Sequence, residues 1–399
     1  MRVHVFIQAH YNDWRCFLQF EGKTSLEHVV LKSLQVPEIQ QIILVVPDCQ
    51  QNHQLFGDIA SRYGINVFYG NVENRLQRFL DCAAEFNTDV IVRLPCCKPL
   101  FRADLVSLMV AAITKSTGID LVTVPPDFPR FFSCEVMKTS VLAELATDRL
   151  SERWAELLRL NPFLVAEKIL SIDKIFLLKD ELPRLSDLEI TLARDLRRRE
   201  LEQGGAVLAD SEKLVEQSRY EFAAKFVRET DHVLDIACGA GTGCEILAGA
   251  ARHGRVLGID LEKNVNFETI ESHIPNVNFL VGDVMEIKLH NVFDRIVSLE
   301  TIEHLEQPKK FLGRLRDILA DDGLMVISVP KKMSEAYLDR PLNPYHVHEY
   351  SASELLELID YCGFVAVERF MQDELGRIEE GWPLNASGSL MAVCRKSLI

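Results

Sequence analysis

Val233-Leu234-Asp235-Ile236-Ala237-Cys238-Gly239-Ala240-Gly241-Thr242-Gly243 is an apolar run that breaks into alternate glycines. In doubly wound α/β folds such a break is the turn from a buried strand into a helix, and the place where nucleotides bind. Glycine suits it because a side chain would block the backbone from a ligand, and some positions need positive φ. The spacing is GxGxG, and Cys244 stands where a dinucleotide fingerprint has its third glycine, which argues against a nicotinamide cofactor. Further along, Asp260 closes Gly258-Ile259-Asp260, where a carboxylate can accept both ribose hydroxyls. Asp283, in Val281-Gly282-Asp283-Val284, ends a third apolar run and can accept from an adenine amine. Three such features at successive strand ends point to one nucleoside crevice.

Strand-like and helix-like runs alternate through both halves, predicting parallel sheets covered by helices. Strands are expected at 3–8, 41–46, 66–69, 89–94 and 120–124, then at 232–237, 255–260, 277–281, 294–299 and 324–329. A final pair is expected at 364–370 and 389–394. Between the halves the pattern turns helical, rich in Leu, Glu and Arg, and interrupted by Pro162, Pro183 and Gly204-Gly205. A chain of 399 residues is too long for one ordinary core. The expected division is an α/β domain over 1–145, a helical connector over 146–217, and a second α/β domain over 218–399.

The formal charge of −15 repels phosphate backbones and argues against nucleic acid as a partner. The dense basic run, Arg194, Arg197, Arg198 and Arg199, reads as the solvated face of a connector helix. Ten cysteines are scattered without a CxxC pair, and the adjacent Cys96 and Cys97 are poor partners, so free thiols are expected. Met1 leads into Val3-His4-Val5-Phe6-Ile7 without the basic and long apolar regions of a signal peptide. With no apolar run of bilayer length, the expectation is a cytoplasmic protein without membrane insertion.

The stretch 220–399 resembles class I S-adenosylmethionine-dependent methyltransferases, especially the bacterial branch found with cell-surface polysaccharide genes. The likeness lies in the glycine loop and in Tyr220-Glu221-Phe222-Ala223-Ala224-Lys225-Phe226-Val227 before it. It continues in Glu300-Thr301-Ile302-Glu303-His304-Leu305 and in Asn343-Pro344-Tyr345-His346-Val347-His348-Glu349-Tyr350. The resemblance implies a Rossmann-like fold with S-adenosylmethionine as cofactor. It places Asp235, Ala237 and the backbone of Gly239 and Gly241 at the methionine end, Asp260 and Leu261 at the ribose, and Asp283 and Val284 at the adenine. Ala237 departs from the family, which usually has glycine there.

Methyl transfer from a sulfonium is an in-line displacement, to which a protein contributes by aligning the acceptor and taking its proton. Glu300, Glu303 and His304 follow the fourth strand, whose carboxyl end borders the crevice. His304 is the expected general base, because imidazole accepts a hydroxyl proton near neutral pH. His346 and His348 lie in a loop before a helix expected to begin near Ser351 with Glu354 closing a capping box. A competing reading makes Glu303 and His304 loop anchors or helix caps. No metal is assigned. The rival is a divalent ion on Glu300, Glu303, His304 and one of His346 or His348, as in the small-RNA 2′-O-methyltransferases that share an ExxEH arrangement; the acidic charge disfavours that RNA reading.

Residues 1 to about 145 resemble the cytidylyltransferase-like sugar nucleotidyltransferases of the spore-coat polysaccharide and acylneuraminate type. The likeness lies in Phe6-Ile7-Gln8-Ala9, Gly22-Lys23-Thr24-Ser25-Leu26-Glu27-His28-Val29, Asp89-Val90-Ile91-Val92-Arg93 and Pro99-Leu100. Against that family, His10-Tyr11-Asn12-Asp13-Trp14-Arg15-Cys16-Phe17 is short and glycine-free, and Cys97 and Arg102 align with the expected acids. Without a carboxylate for magnesium the domain is expected not to transfer nucleotidyl groups. Arg15, Lys23, Arg75 and Arg93 are its candidate anion contacts. The expected acceptor is thus a sugar or nucleotide sugar for surface glycans, with the first half selecting it or making a homodimer. The rivals are a bifunctional sugar cytidylyltransferase/methyltransferase, a metal-dependent RNA 2′-O-methyltransferase and a non-catalytic scaffold.

Overall fold

The computed structural model describes residues 1–125, 128–146, 175–178, 182, 184–204, 210–287, 289, 292–333, 337–373, 376–383 and 388–397. The chain forms two compact units, Met1–Gln203 with Ser334–Leu342, and Gly204–Met333 with Asn343–Ile399.

The first unit contains β1 (Val3–Gln8), β2 (Gln19–Phe20), β3 (Lys23–Thr24), β4 (Gln41–Pro47), β5 (Asn66–Gly70), β6 (Val90–Pro95), β7 (Leu121–Thr123), β8 (Glu135–Lys138) and β9 (Ile175–Leu177). Its helices are α1 (Ser25–Ser33), α2 (Gln50–Tyr63), α3 (Arg75–Glu85), α4 (Ala103–Lys115), α5 (Thr139–Ala146) and α6 (Asp187–Gly204). The sheet runs β5-β4-β1-β6-β8-β7-β9, with β5, β4, β1 and β6 parallel and β8 antiparallel to both neighbours. β1 is buried over Val3–Ile7 because helices cover both faces of a parallel sheet, and it is apolar there apart from His4, whose Nδ1 lies 2.8 Å from Thr88 Oγ1. Helix α1 starts at a capping box of Thr24 and Glu27, and Asn74 caps α3.

Two expectations for this unit are corrected. Cys16 and Cys96 are joined in a disulfide, not free, with Cα atoms 5.1 Å apart. Parallel pairing of β1 with β6 brings the segments after both strands together, a proximity that a sequence separation of 80 conceals. Arg93 is not open to an anion: it pairs with Glu135 of β8 at 2.8 Å, both side chains buried. Arg15 pairs with Asp13 at 2.9 Å, Lys23 is exposed in the β2–β3 hairpin, and Arg102 meets Asp104 and Glu189.

The second unit contains α7 (Asp210–Ala224), β10 (His232–Ile236), α8 (Thr242–Ala250), β11 (Arg255–Asp260), α9 (Asn266–His273), β12 (Val277–Val281), β13 (Phe293–Leu299), α10 (Pro308–Ile318) and β14 (Leu319–Pro330). It ends with α11 (Ala352–Tyr361), β15 (Phe364–Gln372), β16 (Ile378–Glu380) and β17 (Ser389–Lys396). The strand order is β12-β11-β10-β13-β14-β17-β15-β16, parallel as far as β14, with β17 antiparallel between β14 and β15. Successive side chains of a strand point to opposite faces. Accordingly Leu234 and Ile236 join Phe311, Leu315, Leu355 and Ile359 in one core, while Val233 and Val297 join Tyr220, Leu247 and Phe267 in the other. The order reverses between β10 and β13, which opens a crevice at their carboxyl ends.

The expected helical connector is corrected: Ile175–Leu177 within it forms β9, which pairs with β7 in the first sheet, α6 belongs to the first unit and α7 to the second, and Pro162 and Pro183 lie outside the described residues. The basic run sits on α6, where Arg197 pairs with Glu200 and both Arg198 and Arg199 pair with Asp195. Among the described residues no helix is long and apolar enough to cross a membrane.

Candidate active site

The strand ends at Ile236 because Ala237 turns to φ +58°, followed by Gly239 at +56° and Gly241 at +80°. These values are left-handed, the region that favours glycine. A Cβ on Gly241 would lie 2.7 Å from the ring of Phe279, so crowding also selects glycine there. A Cβ on Gly239 would meet nothing within 4 Å, so that side of the loop is open to a ligand. Cys238 N–H donates to the Ile259 carbonyl at 3.1 Å, and Gly239 N–H to Oδ2 of Asp260 at 2.8 Å. Gly282 N–H reaches the Asp260 carbonyl at 2.8 Å, and Oδ1 of Asp283 caps Met285 N–H at 2.7 Å. The ends of three neighbouring strands are therefore bound to one another along one edge, with Leu261 exposed beside Asp260 and Val284 packed beneath.

Asp235 lies under this loop, fully buried, near the Tyr220 hydroxyl at 3.4 Å and the Cys244 thiol at 3.2 Å. Burial pushes its carboxyl up to about 7. It underpins the loop and has no surface of its own in the crevice. An open, amide-lined bend flanked by Asp260 and Asp283 fits a nucleoside carrying a positively charged sulfonium.

Beyond β13 the chain turns sharply at Glu300, whose φ is +50°. Its N–H donates to the Ser328 carbonyl at 3.0 Å, and its carboxylate accepts from Ser328 Oγ at 2.8 Å and Ser389 Oγ at 3.2 Å. Arg219 completes the ion pair at 2.9 Å. Glu300 thus clasps β13, β14, β17 and α7. A 3-10 turn, Ile302–His304, follows. Glu303 is 1% exposed, and neither carboxylate oxygen has a hydrogen-bond partner. Burial first, and the charge of Glu300 second, push it up to about 9. Its backbone carbonyl accepts from Val347 at 2.8 Å and His348 at 3.2 Å, which hangs the 343–350 loop on this turn.

His304 donates through Nδ1 to the Tyr345 carbonyl at 3.0 Å, because a carbonyl can only accept. Nε2 therefore carries the lone pair, 3.8 Å from Oε1 of Glu303, and burial holds the imidazole below its ordinary pKa. The ring of His346 stands edge-on to that of His304, with centroids 4.9 Å apart. His348 turns away, its ring against Tyr350 and its Nε2 3.8 Å from Glu354 of the Ser351 capping box. Of the five expected acceptor-side residues, Glu303, His304 and His346 converge, whereas Glu300 and His348 are engaged elsewhere. Sequence reasoning missed Arg219, Ser328 and Ser389, for which no local signal exists; Asn343 and Glu349, beside His346, were within reach in the quoted loop motif.

Residues 206–369 match the family described as Methyltransferase domain. The chain is 32% identical over 134 residues to a probable S-adenosylmethionine-dependent methyltransferase of Mycolicibacterium smegmatis, covering 33% of this chain and 51% of that protein. It is 30% identical over 146 residues to a ubiquinone biosynthesis O-methyltransferase of Rickettsia canadensis, covering 33% of this chain and 61% of that protein. The chain spans about half the length of the first curated relatives it matches. A cytidylyltransferase of Leptospira borgpetersenii superposes with a TM-score of 0.41 at 22% identity, over 51% of this chain and 96% of that one. With a family match that runs from before the glycine loop to beyond the 3-10 turn, the C-terminal region is a class I S-adenosylmethionine-dependent methyltransferase domain.

Proposed function

We propose that the protein methylates a hydroxyl oxygen of a sugar or nucleotide sugar destined for surface glycans. S-adenosylmethionine supplies the electrophilic methyl group on a sulfonium. The glycine loop binds its methionine end, Asp260 its ribose, and Asp283 its adenine, while Asp235 sets the field beneath the loop. The acceptor stands at the end of β13, and its proton passes to the cluster of Glu303, His304 and His346. The single observation that carries this reading is the tautomer of His304: with Nδ1–H committed to Tyr345, the basic Nε2 belongs to an exposed side chain.

The sugar acceptor rests on both halves resembling enzymes of polysaccharide synthesis. The first unit is read as a nucleotidyltransferase-like module without nucleotidyl transfer, since Cys97 and Arg102 occupy the positions of the acids and Arg102 is itself paired with Asp104 and Glu189. Its remaining task is to select the acceptor or to pair two chains.

The test is a methyl-transfer screen against nucleotide sugars and glycan extracts, followed by His304→Ala. Loss of a general base costs about a hundredfold or more in turnover, while binding of S-adenosylhomocysteine stays unchanged. Turnover within a few-fold of the parent would remove His304 from this role. Turnover of CTP with magnesium by the chain would overturn the reading of the first unit.

A further inference from the structure

We propose that the first unit carries a site for a diphosphate group, built from Arg194 and Arg198 of α6 and from Arg340. All three residues belong to that unit, so the site stands apart from the reading of methyl transfer. On a helix, positions i, i+3, i+4 and i+7 share a face. Thr191, Arg194, Asp195 and Arg198 are therefore neighbours on α6, beside the buried row of Ile190, Ala193 and Leu196. The segment 337–342 is anchored in the same unit. Tyr337 and Leu338 are buried, the Tyr337 carbonyl accepts Leu185 N–H at 2.8 Å, and Nη1 of Arg194 donates to the Pro341 carbonyl. This last contact brings Arg340, next to Pro341, to the arginine face of the helix. Arg340, Arg194, Arg198, Asp195, Thr191 and Leu192 line a cavity of about 390 Å³, a size that suits a small ligand.

The charge of this cavity sets the class of ligand. Three arginines line it against one carboxylate, in a chain whose formal charge is −15. Asp195 is a poor counter-ion for them, because its Oδ2 is taken by Nε of Arg199 at 2.8 Å. Its Oδ1 stays 3.8 Å from Nη1 of Arg198. Arg340 comes no nearer than 3.7 Å to Asp187, whose side chain is 88% exposed. Both distances exceed a hydrogen bond, so the two guanidinium forks are poised for another acceptor. Like charges gathered around one concavity repel, and an anion bound among them removes that cost. The planar fork of arginine matches phosphate oxygens two at a time. A carboxylate has oxygens for one such fork, whereas a diphosphate has enough for three.

The full chain is titrated by calorimetry, at low ionic strength and without magnesium, with inorganic diphosphate, uridine diphosphate and inorganic phosphate. One equivalent of diphosphate is expected, held more tightly than phosphate and released as salt is raised. Arg198→Ala and Arg340→Ala should each weaken it about tenfold or more. Arg197→Ala, which removes the partner of Glu200, should leave it unchanged. Asp195→Asn should tighten binding, a gain that misfolding does not mimic, and the thermal midpoint reports that each variant is folded. Equal binding of inorganic and uridine diphosphate makes the diphosphate itself the ligand, and tighter uridine diphosphate assigns the site to a nucleoside diphosphate. No binding by the parent, binding that survives both arginine-to-alanine changes at 198 and 340, or phosphate held as tightly as diphosphate overturns the site.

Discussion

Gly239 donates its backbone N–H to Oδ2 of Asp260 at 2.8 Å, so the acid expected to meet the ribose also ties the glycine loop to the second strand. Its other oxygen accepts Glu262 N–H at 3.2 Å. Asp260→Ala removes a charge-assisted hydrogen bond worth about 1.5–3 kcal/mol along with the ribose contact. The expected result is a loss of S-adenosylhomocysteine affinity of about ten- to a hundredfold or more, read by calorimetry. An affinity within threefold of the parent would show that neither contact matters.

Ala237 carries a left-handed backbone, φ +58°, at the position where related enzymes usually have glycine. Holding an alanine there costs about 1–2 kcal/mol, partly offset by the roughly 0.5–1 kcal/mol that a glycine loses in backbone entropy. Ala237→Gly should therefore stabilise the protein by about 0.5–1 kcal/mol, seen as a higher denaturation midpoint. Ala237→Val should destabilise it. A lower midpoint for the glycine variant would mean that the methyl group makes a contact worth more than the strain.

Much of the second unit was legible because its central strands β10, β13 and β14 are largely buried apolar runs. Asp260 ends β11 as expected, and the capping box at Ser351 starts α11 where the spacing placed it. The short strands β8 and β16 escaped notice, since three or four residues carry no measurable period. Glu300 reads from the sequence as structural or substrate-orienting, but its partners, Ser328 on β14 and Ser389 on β17, are assembled only by sheet pairing and carry no local signal. His346 and His348 could not be told apart either, because a loop has no periodicity to say which side chain faces inward. The Cys16–Cys96 bond failed for the same reason as Glu300: it depends on which strands become neighbours.

At Gly243 the constraint is crowding. A Cβ there would sit 2.1 Å from the ring of Tyr220, which is buried and packs with Cys244 and Leu247. Overpacking of a core costs about 1–3 kcal/mol, so Gly243→Ala should destabilise by that amount. Because the strain comes from one ring, Tyr220→Ala should relieve it. The double variant is expected to be more stable than the sum of the single losses predicts, by about 0.5–3 kcal/mol in a double-mutant cycle on urea unfolding. Strict additivity would place the clash elsewhere.

The buried carboxyl of Asp235, raised to about 7, couples the cofactor to protons. Unfolded, this group titrates near 3.9, so between those values the folded protein holds the extra proton. Its contribution to stability is therefore largest below about 4, declines as pH rises towards 7, and is constant above. A cation bound above Asp235 favours the ionised form and so expels that proton. S-adenosylmethionine should consequently bind more tightly as pH rises through 7, whereas S-adenosylhomocysteine, which lacks the sulfonium charge, should respond less. Calorimetry near neutral pH in two buffers of different ionisation heat should show net proton release with the methyl donor. Asp235→Asn should abolish the release and flatten the decline in stability between about pH 4 and 7. Proton release that survives this substitution would assign the coupling to another group.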